Sequence, residues 1–129
     1  MKSIVKEKSF HFAIRIMKLY KYLIEEKKEY IIGKQLLKSG TSIGANVREA
    51  INGESKVDFI HKLGIAQKEC DETLYWLELL KEAEIISQKE FDSIYPDALE
   101  LLKMIRSIII KTIKTNIKTK SNLKITHNL

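Results

Sequence analysis

The chain has 129 residues, of which 44% are hydrophobic and 31% are charged, so it holds one domain with enough apolar side chains for a core. A single proline and five glycines favour a mostly helical chain over a sheet. The apolar runs are too short for a membrane-spanning helix, the N-terminus has no secretion signal, and the lone Cys70 excludes an internal disulfide. We therefore expect a cytoplasmic protein with no membrane partner.

The net charge of +6 is concentrated at the C-terminal end. No acidic residue follows Glu100, and the first hundred residues are close to neutral. The candidate nucleic-acid contacts are the basic residues beyond that point: Lys103, Arg106, Lys111, Lys114, Lys118, Lys120 and Lys124. Such side chains neutralise phosphates. The alternative is a solvated end with no partner.

Apolar residues recur at steps of three and four in four segments, which is typical of amphipathic helices. These segments predict helices over about 3-29, 34-51, 55-84 and 88-114. The predicted core stripes are Phe12, Ile16, Leu19 and Leu23, with Ala13, Met17, Tyr20 and Ile24 beside them; Leu36, Ile43, Val47 and Ala50; Phe59, Leu63, Ala66, Cys70, Leu74, Leu77 and Leu80; and Phe91, Ala98, Leu102, Ile105 and Ile109. Short connections predict an all-α fold, an antiparallel up-down-up-down four-helix bundle over residues 1-115.

Helix boundaries are predicted from residues that break or cap helices. Gly33 is predicted to separate the first two helices, and the sequence NGES to separate the second and third. Ser55 with Asp58, and Ser87 with Glu90, have the spacing of N-terminal caps.

The fourth segment carries two irregular features. Pro96 predicts either a new helical segment or a kink, because it removes one backbone hydrogen bond. The apolar period is lost beyond residue 115, which predicts a basic, disordered tail over 116-129.

The stretch SGTSIGANVREA, Ser39 to Ala50, is rich in small and polar residues. On a helix, Gly40 and Gly44 lie on one shoulder of the core stripe, and Ser39 and Asn46 lie on the other. Glycine costs about 1 kcal/mol relative to alanine in a helix interior, so the pair predicts a close approach by another helix. The polar shoulder would be partly buried and would need hydrogen-bond partners. The alternative is a weak, flexible helix.

The third predicted helix has a second line beside its core stripe. Its members are Lys62, Ile65, Glu69, Glu72, Trp76 and Leu79. In a monomeric bundle this line would face water, although burying a tryptophan removes ~150–250 Å² of surface from solvent. We interpret the line as a subunit interface in which Glu69 and Glu72 pair with basic groups across it. The alternative is that Trp76 covers an edge of its own bundle.

These two motifs, SGTSIGANVREA and SKVDFIHKLGIAQKECDETLYWLELLKEAEII, resemble the four-helix-bundle family of 23S ribosomal RNA intervening-sequence proteins, over about positions 8 to 115. Members are small bacterial proteins, some encoded within ribosomal RNA genes. A related branch serves as accessory subunits of reverse transcriptases in diversity-generating retroelements. The resemblance implies a homopentamer with basic surfaces for RNA, DNA or a polymerase partner.

Family positions are carried over only where residues match. They are Ser39, Ser42, Asn46, Arg48 and Glu49 in the first motif, and Lys62, Glu69, Glu72, Tyr75 and Trp76 in the second. The resemblance implies packing and assembly roles for them before ligand contacts. The near-neutral body departs from the strongly basic relatives, which argues against nucleic acid on the bundle itself.

No catalytic site is predicted. The nearest match to a two-metal carboxylate site is Asp58 with His61, together with Glu69 and Glu72, but no second histidine-bearing pair exists. Cys70 lies on a core stripe, where a small buried side chain is expected rather than a nucleophile. We expect no metal and no cofactor.

The leading hypothesis is a non-enzymatic, homo-oligomeric scaffold or accessory protein that binds nucleic acid or a nucleic-acid enzyme such as a reverse transcriptase. A protein-protein adaptor with no nucleic-acid role is the alternative, and a metal-dependent bundle enzyme is a remote one.

Overall fold

The computed structural model describes the backbone of residues 3–127 and side chains through Leu123. It contains four helices: α1 (Ile4–Glu25), α2 (Ile31–Ile51), α3 (Lys56–Glu82) and α4 (Gln88–His127). No strand occurs among these residues. The prediction of an all-α chain with four helices is confirmed.

The four helices enclose one core. Successive helices pack against each other, and α4 packs back against α1 over a smaller area than the other pairs. The predicted stripes supply that core, with Ile16, Leu36, Leu63 and Ile105 almost completely buried. The stripe positions Leu19, Phe59, Phe91 and Ile109 are half-buried against it.

The thinner side of the bundle, between α1 and α4, is held by polar contacts at its surface. The guanidinium of Arg15 donates hydrogen bonds to the Ser93 carbonyl oxygen at 2.9 Å and to its hydroxyl at 2.7 Å. Arg15 also pairs with Asp97, and Lys8 pairs with Glu100. Exposed pairs of this kind stabilise a fold only slightly, so they fix the position of α4 more than they stabilise it.

The boundary predicted at Gly33 is wrong. α1 ends at Glu25 and α2 begins at Ile31, so Gly33 lies inside α2, where it is buried. The chain turns instead at Lys28, whose φ of 55° is left-handed, and the Glu29 carboxylate accepts a hydrogen bond from the Ile32 backbone N–H at 2.6 Å. Sequence rules missed this turn because a lysine in the left-handed region leaves no glycine or proline to mark it.

The caps predicted at Ser55 and Ser87 are confirmed. The Ser55 hydroxyl accepts from the Asp58 backbone N–H at 3.1 Å. At the start of α4 the Ser87 hydroxyl accepts from the Glu90 backbone N–H at 3.1 Å, while the Glu90 carboxylate accepts from the Ser87 backbone N–H at 2.7 Å. This reciprocal pair satisfies two backbone donors at the helix end.

The Ser87 N–H bond to the Glu90 carboxylate lowers the pKa of that group. A depressed folded-state pKa contributes stability above the unfolded-state pKa and loses it as pH falls through the folded-state value. We expect Glu90→Gln to cost about 0.5 kcal/mol near pH 7, the scale of a charge at a helix end, and nothing below the folded-state pKa. Urea unfolding at a series of pH values, from 7 down through the folded-state pKa of Glu90, measures the difference. Ser55→Ala is the control, since it removes a hydroxyl cap from another helix and should cost about 1 kcal/mol throughout that range.

α4 is longer than predicted. It runs through Pro96 as one helix, so Pro96 does not begin a new segment, and it continues to His127. The disordered tail predicted over 116-129 is therefore wrong through His127, while positions 128 and 129 lie outside the described residues. The apolar period stops because the helix has left the core; no glycine or proline follows Pro96 to end it.

The last part of α4 stands free of the bundle. Ile105 is the last fully buried side chain of α4, and every described side chain from Ile117 to Leu123 is exposed. Ile108 and Ile109 still pack against the edge of the core, and we call the residues beyond them, 110–127, the C-terminal extension. Along an ideal helix it is about 27 Å long.

Candidate interaction surfaces

The contact between α2 and α3 contains a buried polar pair. Ser39 and Thr73 are almost fully buried, and their hydroxyl oxygens lie 2.9 Å apart. The Thr73 oxygen also lies 2.8 Å from the Glu69 carbonyl oxygen. Each hydroxyl has one proton, so a chain from Ser39 to Thr73 to the carbonyl satisfies all three groups. The predicted partner for Ser39 is thus found inside the chain.

Other residues of the first motif divide between two sides of α2. The half-buried Asn46 amide donates to the Ser42 carbonyl oxygen at 2.8 Å. Glu49 lies 3.8 Å from the Lys62 ammonium of α3, whereas Arg48 lies over the Phe10 ring of α1, 6.0 Å from its centre. All three contacts lie within one chain, and Arg48 does not share the α3 side.

The glycine shoulder of α2 lies against α1. A Cβ atom added to Gly40 would lie 2.7 Å from Ile16 Cγ1, and one added to Gly44 would lie 3.1 Å from the Ser9 backbone oxygen. Both distances are too short for an unstrained carbon contact. The predicted close approach of another helix is confirmed, and that helix is α1.

The second line of α3 forms a partly exposed surface, which we call the α3 face: Ile65, Glu69, Glu72, Trp76 and Leu79. Ile65 and Trp76 are half-buried, while Leu79 is 38% exposed. The Tyr75 ring, 57% exposed, meets the indole edge-on with centres 5.0 Å apart. Trp76 is therefore neither free in solvent nor covered entirely by its own chain.

The indole nitrogen of Trp76 is the weak point of this face. Its N–H is buried, yet among the described residues it has no hydrogen-bond acceptor. A buried donor without an acceptor costs about 1–3 kcal/mol. Within one chain, that cost is not offset by any contact of the indole nitrogen.

The negative charges of Glu69 and Glu72 on the α3 face are only partly balanced by nearby lysines. Burial, followed by the charge of Glu72, raises the pKa of Glu69, and Lys38 opposes this only in part. Lys62, at the end of the line, lies beside Glu49. The face thus combines apolar side chains with an excess of negative charge.

A second apolar surface, on α1, was missed by the sequence reasoning. Phe10, Ile14 and Met17 are 51%, 37% and 57% exposed and lie on the side of α1 away from the core; we call them the α1 face. A groove of about 380 Å³ runs beside Phe10 toward Gly44 and Arg48. The spacing of this line repeats that of the core stripe, so Met17 was grouped with the core and the other two were overlooked.

The basic residues of α4 do not form one group. At 100° per residue, Lys103, Lys111, Lys114 and Lys118 fall within a sector of about 80°; we call them the lysine row, and all four are exposed. Arg106 faces another way, 3.9 Å from Asp71 of α3. Lys120 is exposed on that other side, and the Lys124 side chain lies outside the described residues.

The sequence analysis also considered a metal site and a cysteine nucleophile. In residues 3–123 no three histidine, cysteine or acidic side chains are placed to hold a metal ion, so Asp58 and His61 do not join Glu69 and Glu72. Cys70 is buried, and burial raises the pKa of its thiol to about 12. A thiol with that pKa is protonated at neutral pH and is a poor nucleophile. The described helices include none long and apolar enough to cross a membrane.

Comparisons with known proteins find a match for the sequence and a match for the structure. Residues 1–107 match the family profile described as 23S rRNA-intervening sequence protein. The fold is similar to the crystal structure of a protein of unknown function from the S23 ribosomal protein family of Bacteroides thetaiotaomicron, with 54% identity and a TM-score of 0.81 over 82% of this chain and 98% of that chain. No curated protein matches. With its two motifs and four helices, the chain belongs to the 23S rRNA-intervening sequence protein family.

Proposed function

We propose that this protein is a non-enzymatic scaffold or accessory factor that works as a homo-oligomer and binds nucleic acid or a nucleic-acid enzyme. One observation carries the oligomer: the half-buried Trp76 lies beside the exposed Leu79 and Tyr75. A second copy would cover these apolar side chains. The four-helix fold fits such a scaffold role.

We propose an antiparallel, up-down-up-down arrangement for each copy. Two contacts support this: Gly40 of α2 faces Ile16 of α1, while the later Gly44 faces the earlier Ser9. As the residue number increases along α2, the number of the facing residue on α1 decreases. The connections between successive helices are short, which favours antiparallel neighbours.

We propose that the copies join head to tail. The α3 face has excess negative charge from Glu69 and Glu72, whereas the α1 face has the exposed Lys18 and Lys21 at one end and Arg48 beside Phe10. A contact between two different faces generates a ring when its rotation closes. The family resemblance favours five subunits in that ring.

Leu79→Lys tests the oligomer. A lysine at this 38%-exposed position would be placed among the apolar groups that the proposed contact buries, and the expected result is dissociation to a folded monomer. Light scattering with size-exclusion chromatography measures the mass, and circular dichroism checks the helices. The matched control is Val57→Lys, at a 74%-exposed position of α3 outside the line. Two variants with the same mass as the unmodified protein, or an unmodified protein that is already monomeric, would refute the proposal.

The nucleic-acid part of the proposal is supported by the charge distribution. After Glu100 the chain has basic residues and no acidic ones, and the structure places most of them on an exposed helix. The adaptor role is the second candidate, favoured by the near-neutral bundle and the exposed Tyr75. Failure of the unmodified protein to bind nucleic acid would favour the adaptor.

A further inference from the structure

The lysine row lies on the part of α4 that the family match does not include. That match ends at residue 107, and the C-terminal extension begins just beyond it. Three members of the row, Lys111, Lys114 and Lys118, stand on this extension, and Lys103 precedes it on the same side of the helix. From first to last the row covers about 22 Å along the helix axis.

The charges of Lys111, Lys114 and Lys118 are not neutralised by their own helix. α4 has no acidic residue after Glu100, so none of these three has a carboxylate three or four residues away, whereas Lys103 has Glu100 three residues before it. Arg106, which does lie near a carboxylate, is off the row. A straight, uncompensated line of cations is complementary to a polyanion.

Two features of the extension distinguish between a single-stranded nucleic acid, a duplex and an anionic membrane surface as its partner. It has no phenylalanine, tyrosine or tryptophan on which an unpaired base could stack, the contact that adds most to binding of single strands. Its exposed isoleucines Ile110, Ile113 and Ile117 form only a narrow stripe, and the exposed Leu123 lies on another side of the helix. Helices that lie in a membrane surface combine a broad apolar face with aromatic residues.

We propose that the lysine row binds the phosphate backbone of a double-stranded nucleic acid, without reading its sequence. A duplex carries about one negative charge per 1.7 Å of axis, so a row of about 22 Å faces a dense array of phosphates. The extension is already helical, so its backbone does not have to be ordered when it binds. This inference rests on the nucleic-acid role proposed above and names the binding site and the form of the ligand.

The test compares three full-length proteins. The row variant is Lys111→Gln, Lys114→Gln and Lys118→Gln, which keeps good helix formers on the extension. The control has the same change in charge away from the extension: Lys34→Gln on α2, Lys56→Gln on α3 and Lys89→Gln in the first turn of α4, all at exposed positions. Fluorescence anisotropy measures binding of a mixed-sequence duplex and of each single strand at about 50 and 200 mM salt, and circular dichroism checks that helicity is unchanged.

For the unmodified protein, four phosphate contacts predict a slope of log K against log salt near −3.6, or about a hundredfold loss of duplex affinity over this range. The row variant should lose about three contacts, which reduces the slope to about −1. The control should keep nearly the full slope, and the single strands should bind more weakly than the duplex.

The nucleic-acid role, the lysine row as its site and the duplex as its ligand can each be refuted by a different result. Absence of duplex and single-strand binding by the unmodified protein would overturn the nucleic-acid role, and the row with it. Equal losses in the row variant and the control would overturn the row but leave the role. Stronger binding of single strands would overturn the assignment to a duplex. Binding of phosphatidylserine vesicles in preference to the duplex would show that the row meets a lipid surface instead.

Discussion

Gly40→Val is expected to destabilise the bundle by about 3 kcal/mol, the upper end of the usual cost of overpacking a core. The first added carbon alone would lie 2.7 Å from Ile16 Cγ1 and 2.8 Å from Cγ2. Ile16 is fully buried, and both of those atoms are bonded directly to its Cβ, so they cannot swing aside. Either the isoleucine leaves its rotamer or α1 moves away from α2. Urea unfolding followed by circular dichroism measures the loss as a lower midpoint.

Gly64→Val is the matched control. Gly64 lies in the interior of α3, and a Cβ added there meets nothing within 4 Å. Valine is slightly better than glycine in a helix, so the change in unfolding free energy should stay within about 0.5 kcal/mol. If both substitutions lowered the midpoint equally, the effect would come from valine in a helix and not from the close approach of α1.

Trp76→Ala is expected to lower the protomer's unfolding free energy by about 2–3 kcal/mol and also to weaken self-association. The indole packs against the core while remaining only half-buried, so its loss removes contacts within the chain and surface for a second copy. The cost is below that of a fully buried tryptophan, about 3–5 kcal/mol. Denaturant unfolding and sedimentation at several protein concentrations separate the two effects.

Trp76→Phe isolates the indole N–H. Within one chain this change removes a buried donor that has no acceptor, so the protomer's stability should not fall. Because its own chain covers the N–H, a second copy docked on the surface does not reach it, and self-association should stay unchanged. Weaker association of the phenylalanine variant would show that the N–H meets an acceptor on the second copy.

The sequence predictions were most accurate for features that depend on a single helix, such as its apolar spacing or a costly glycine. The helix count, the core stripes and the close approach at Gly40 all follow from apolar spacing and from the cost of glycine in a helix. Ser39 was expected to have a hydrogen-bond partner, but the partner's identity, Thr73, required the register between α2 and α3, which no single helix encodes.

The failures share a cause. Glycine permits turns, so the sequence predicts a break at Gly33, yet here the small size of Gly33 serves packing beside the Tyr20 ring. The loss of the apolar period predicts disorder beyond residue 115, although that period indicates contact with a core and not helicity. The α1 face was missed because Phe10 and Met17 have the spacing of core residues.

The free end of α4 has a consequence for how its charges are held. An isolated helix must first order several residues for a single hydrogen bond, and short peptides in water seldom overcome that cost. Repulsion between Lys114 and Lys118, one turn apart, would oppose it further. Here the earlier turns of α4 are already wound against α1 and α3, so the extension only has to propagate the helix. The folded bundle therefore nucleates the helix that carries most of the lysine row.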